Sequence, residues 1–252
     1  MSATKDEDSK ELPLVAHLLE LRDRLLRSVG VVLVLFFLLY FWANPIYEFV
    51  SAPLIEQLDN EIISTNPMDP FMIPMKLTFM VSLFLSIPYI LHQAWAFISP
   101  GLYKNEIRVT LPILVSSVLL FYAGLAFCYY VVLGYLFNFF IQSAPETVAV
   151  MTDMGAYYNF VMALFLIFGI VFEIPVATIL LVLSGVTTPQ DLVEKRPYII
   201  VGCFVAAVPL TPPDPLSMFL MALPMWFLFE LGLMGSRLFY KPDEEEAETP
   251  AS

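Results

Sequence analysis

The chain is short of charge. Asp, Glu, Lys and Arg make up 14% of its 252 residues, against about 25% in an ordinary soluble globule, and apolar residues make up 59%. With a mean hydropathy of +0.77, that shortage excludes a water-soluble fold. Cysteine is scarce too: Cys128 and Cys203 both sit inside apolar runs, where cysteine acts as a small hydrophobe, so no disulfide framework is expected. Histidine is limited to His17 and His92, which the spans place on different helices, and neither has ligand-like spacing to a cysteine. There is no HExxH helix, no GxSxG turn and no glycine loop that would cradle a phosphate. These absences leave no catalytic, metal or cofactor site to assemble, and no nucleic-acid partner is expected. The net charge of -12 lies largely in the tails, in DEDSKE and PDEEEAE, which read as solvated and disordered.

What is abundant is long apolar sequence. Six runs emerge, at about Leu25 to Ala43, Leu77 to Ile98, Val109 to Phe140, Tyr157 to Leu183, Tyr198 to Leu210 and Leu216 to Met234. They predict an all-α membrane protein of six transmembrane helices, the last two short, within a single domain over residues 13–240. Residues 1–12 form a disordered leader and 241–252 a disordered acidic tail. Before the first span, PLVAHLLELRDRLLR places Leu14, Leu18, Leu21 and Leu25 on one helical face, with His17, Glu20, Arg24 and Arg27 opposite, an amphipathic helix starting at Pro13. Asn44 to Pro74 is proline-rich and reads as a rigid external cap with one short helix. Pro88, Pro112, Pro175, Pro209 and Pro224 put one proline in each later span, predicting kinked helices and a concave, cup-like bundle.

Every basic residue except Lys76 falls on one side of such a six-span chain, so both termini are expected in the cytoplasm. Three carboxylates draw attention. Glu173 stands in mid-span, where an ionised side chain is costly and therefore protonated, hydrogen-bonded or facing water. Glu106 follows Pro100 and Gly101 in WAFISPGLYKNEIR, at the mouth of an apolar run, where a solvated charge favoured by the helix dipole would also sit. Glu20 precedes Arg24 by four residues, the spacing of a helix-surface ion pair. Two readings follow: a concave, receptor-like surface, or a proton-coupled small-solute permease with Glu173 as proton carrier. An intramembrane hydrolase ranks behind both.

HLLELRDRL at His17 to Leu25, SAPL at Ser51 to Leu54, WAFISPGLYKNE at Trp95 to Glu106, FEIPVA at Phe172 to Ala177, KRPY at Lys195 to Tyr198 and LTPPD at Leu210 to Asp214 together resemble the TatC family. This is the polytopic subunit of the twin-arginine, Sec-independent protein translocase. The resemblance implies a signal-peptide receptor in the cytoplasmic (inner) membrane that exports folded proteins at the expense of the proton-motive force. It further implies TatA and TatB as single-span partners, and self-association. Glu20 and Glu106 would accept the two arginines with Phe97 beside them. Glu173, Thr211 and Asp214 would touch partner helices, and Pro53 would belong to the periplasmic cap.

Overall fold

The computed structural model describes residues 5–55, 63–98, 107–143, 152–208 and 215–239. The helices are α1 (Lys5–Leu39), α2 (Ala43–Ile55), α3 (Asp69–Ile98), α4 (Ile107–Phe127), α5 (Gly134–Ser143), α6 (Met154–Val171), α7 (Ile174–Leu183), α8 (Pro189–Glu194), α9 (Arg196–Ala207) and α10 (Pro215–Phe239). A 3-10 turn at Tyr40–Trp42 joins α1 to α2, and a π-helical stretch at Cys128–Leu133 joins α4 to α5. Among the described residues, four helical stretches are long and apolar enough to cross a membrane: His17–Ala52, Asp69–Phe97, Leu111–Phe139 and Met154–Leu183.

The fifth apolar run is short, as expected: α9 has 12 residues, about 18 Å, against a hydrocarbon core of about 30 Å. The sixth differs. With 25 residues, α10 is not a short helix, because helix continues past Met234 through Arg237, whose charge complements the carbonyl end of the dipole. The helix that carries the amphipathic segment, α1, begins at Lys5, eight residues before Pro13. Helix resumes at Ala43, in the stretch expected to hold one short helix, because Pro45 falls in the first turn of α2, where its missing N–H is harmless.

The chain divides into two compact units, and the first comprises residues 1–118 and 129–163. Here α1 packs on α3, and α2 packs on α3 and α5. The buried face of α3 is polar in an ordered way: Thr78, Ser82 and Ser86 each return a hydroxyl to the carbonyl four residues back, at 2.7 Å, so small side chains are buried with their donors satisfied. In the π-helical stretch, Tyr129 stacks on Phe49 with centroids 5.0 Å apart and donates its hydroxyl to the Phe49 carbonyl at 2.9 Å. An isolated parallel bridge pairs Ile63 with Asp153. Asp153 accepts hydrogen bonds from Thr65 Oγ1 at 2.5 Å and from the Ala156 amide at 2.8 Å, capping the start of α6. These bonds hold its carboxyl below the usual carboxylate range, the Thr65 hydroxyl contributing most.

The second unit comprises residues 119–128 and 164–252, with α10 packed on α7, α8 and α9. Gly232 lets α10 approach α7 closely, since a Cβ there would lie 2.7 Å from the Pro175 Cα. Gly185, at φ +71°, ends α7: its amide donates to the Val182 carbonyl at 3.0 Å and that of Val186 to Leu181 at 3.2 Å. Thr188 and Asp191 then exchange side-chain and backbone hydrogen bonds at 3.1 Å and start α8. The fourth apolar run is broken at Phe172 and Glu173, because Pro175 cannot donate to the Val171 carbonyl.

Candidate functional site

On α1, His17, Glu20 and Arg24 recur at intervals of three and four residues, which places them along one helical face. On α3, Gln93 and Phe97 are spaced by four and share a face in the same way. The two faces meet. His17 lies flat on Phe97, with ring centroids 4.1 Å apart and planes 14° apart. Arg24 donates from Nη1 to Gln93 Oε1 at 3.2 Å. Its Nε and Nη2 both reach Glu20 Oε1, at 3.0 and 2.5 Å.

Burial makes this more than a surface decoration. Gln93 is 9% exposed and Trp95, two residues on, 5%, so α3 supplies a fixed wall. The side chains of Arg24 and Glu20 are 22% and 42% exposed, so the pair is half-sheltered with the carboxylate on its open side. Glu20 and Phe97 therefore stand on the two helices that are bridged by the Arg24–Gln93 bond and the His17–Phe97 stack. Glu106 lies outside the described residues, as do Thr211 and Asp214, and the side chain of Pro53 is not described either. Gln93 and the bridging role of Arg24 were not read from the sequence. The available signal was an amide four residues from Phe97 within an apolar run.

Glu173 stands at the α6–α7 break, about ten residues or 15 Å from the Leu183 end of that helical stretch. In the same unit, Arg196 Nη2 pairs with Glu230 Oε2 at 2.6 Å, fastening α9 to α10. An apolar groove of about 170 Å³ runs between these two helices, lined by Cys203, Phe204, Phe219 and Trp226 among others. Among the described residues no cluster of His, Cys, Asp and Glu is arranged to hold a metal, and Cys128 and Cys203 are both buried thiols.

Residues 16–224 match the family described as Sec-independent protein translocase protein (TatC). The Sec-independent protein translocase protein TatC of Azotobacter chroococcum mcd 1 is 50% identical over 254 residues, covering 100% of this chain and 99% of that protein. The chain belongs to the TatC family. The TatC of Escherichia coli (strain K12) is 54% identical over 229 residues, 90% of this chain and 89% of its own. A solved structure described as the crystal structure of the twin arginine translocase receptor TatC superposes with a TM-score of 0.78 at 34% identity, covering 88% of this chain and 98% of that one. The chain is thus a multi-pass, all-α membrane protein of a protein-translocase family, and protein transport is its business.

Proposed function

We propose that this chain is the receptor for twin-arginine signal peptides in a translocase that carries folded proteins across the cytoplasmic membrane, driven by the proton-motive force. The observation that carries this reading is the Glu20 carboxylate, oriented by Arg24 beside the stacked His17 and Phe97 rings at the α1–α3 contact. A guanidinium is permanently charged and offers a planar fork of donors, which a sheltered carboxylate reads well and a lysine ammonium matches poorly. Glu106, eight residues beyond the end of α3 in the sequence, is the second acceptor. Both termini are cytoplasmic, with the Lys195–Arg196 segment on the same side and Lys76 on the opposite one.

The single-span subunits TatA and TatB are the partners, together with further copies of this chain. Glu173, and Thr211 and Asp214 between α9 and α10 in the sequence, are their contacts, and Pro53 belongs to the periplasmic cap. Residues 13–240 act as one domain in this role. The family favours translocation over the permease that Glu173 alone would allow.

The test is equilibrium binding of a fluorescent twin-arginine signal peptide to the purified protein in nanodiscs. Glu20→Ala and Glu106→Ala should each weaken binding about tenfold, equivalent to about 1.4 kcal/mol, while leaving membrane insertion intact. Wild-type affinity in both variants would refute the assignment.

A further inference from the structure

We propose that Arg24 is a positioning residue that sets the preference of the acceptor for arginine over lysine. It pins one oxygen of Glu20, is anchored on α3 by Gln93, and leaves the second oxygen for the incoming guanidinium. The inference rests on the signal-peptide reading above and deepens it.

Three donors of the Arg24 guanidinium are committed. Nε and Nη2 converge on Glu20 Oε1, and Nη1 reaches Gln93 Oε1 at 3.2 Å. Arginine has no acceptor, so the amide of Gln93 must turn its oxygen toward Arg24, and the direction of that bond follows from chemistry alone. Among the described residues, Glu20 Oε2 receives no hydrogen bond. Among the described residues, the carboxylate is therefore held through one oxygen.

A bare ion pair spaced by four residues on a helix surface is weak and samples several rotamers. This one has a second anchor on another helix, through a side chain that is itself 9% exposed. The main-chain carbonyl of Arg24 accepts the Ser28 hydroxyl at 3.0 Å, one turn further along α1. Fixing Glu20 in advance removes ordering that the peptide would otherwise have to impose.

Charge follows the same logic. A lone carboxylate attracts any cation, and an ammonium satisfies it as a point charge. A carboxylate already half-neutralised by a resident guanidinium attracts lysine weakly, and what remains to be gained is directional hydrogen bonding. Arg24 itself shows the geometry by which two N–H groups of one guanidinium converge on one carboxylate oxygen. A second guanidinium on Oε2 repeats it, and an ammonium has no planar fork with which to do so.

The experiment measures Kd for a twin-arginine peptide and its twin-lysine counterpart on the full chain in nanodiscs, for wild type, Arg24→Gln and Gln93→Leu, with thermal unfolding recorded for each. Arg24→Gln should lower the arginine-to-lysine preference about fivefold to tenfold while the lysine peptide binds as before or more tightly, since a positive charge has gone. Gln93→Leu keeps the charge and removes the anchor, so the preference should fall about threefold at unchanged lysine affinity. A preference left at the wild-type value in Gln93→Leu overturns the proposal even if Arg24→Gln does not fold. Equal loss of both peptides overturns it as well, because a purely structural residue behaves that way. If wild type itself does not distinguish the peptides, the receptor reading fails instead.

Discussion

At the level of single residues, the account turns on side chains that join two helices. Glu20 and Arg24 are visible in sequence as a helix pair, but the contribution of Gln93 depends on α3 lying against α1, which no local pattern reports. The stacking of His17 on Phe97 depends on the same packing of α3 against α1. Glu173 was legible because a carboxylate in an apolar run stands out by composition alone. A separate prediction concerns Asp153. Its carboxyl titrates below the ordinary range, so its contribution to stability is present above the unfolded value of about 3.9 and is lost as pH falls through the lower folded value. Thr65→Val removes the main cause. Thermal unfolding in detergent should show a deficit for this variant at pH 6 that shrinks below about pH 4 and disappears once both states bind the proton.

Among the elements, the first four spans were readable because length and hydropathy suffice to identify them, and the shortness of α9 followed from the proline-rich sequence after it. The irregularities were not readable. The π-helical stretch at Cys128–Leu133 contains no proline or glycine, so nothing local marks it. By contrast, the Thr188–Asp191 box that starts α8 is a sequence signature. Close helix approach gives a paired test. Gly232→Ala places a Cβ 2.7 Å from Pro175 Cα and 3.0 Å from Thr178 Cβ, so it should destabilise by about 1 to 3 kcal/mol. Gly202, inside α9, has nothing within 4 Å of a new Cβ, and Gly202→Ala should stabilise by about 0.5 to 1 kcal/mol. Unfolding temperatures that move in opposite directions check both.

For the molecule as a whole, membership of the TatC family was legible because six short motifs keep their order along nearly the entire chain. What the sequence alone did not give was the arrangement around Glu20, since its partner Arg24 is anchored on a second helix. Orientation is testable without reference to the site: Met68→Cys and Gln190→Cys, both at exposed positions, should react with an impermeant thiol reagent from opposite sides of intact vesicles, Gln190→Cys from the cytoplasmic side. The most direct measurement of the central claim is site-specific photo-cross-linking from position 106 of the assembled translocase to a twin-arginine signal peptide. A cross-link that forms with the twin-arginine peptide, drops sharply with twin lysine and weakens in Glu20→Ala is the predicted result. Equal cross-linking of both peptides, indifferent to Glu20, would contradict it.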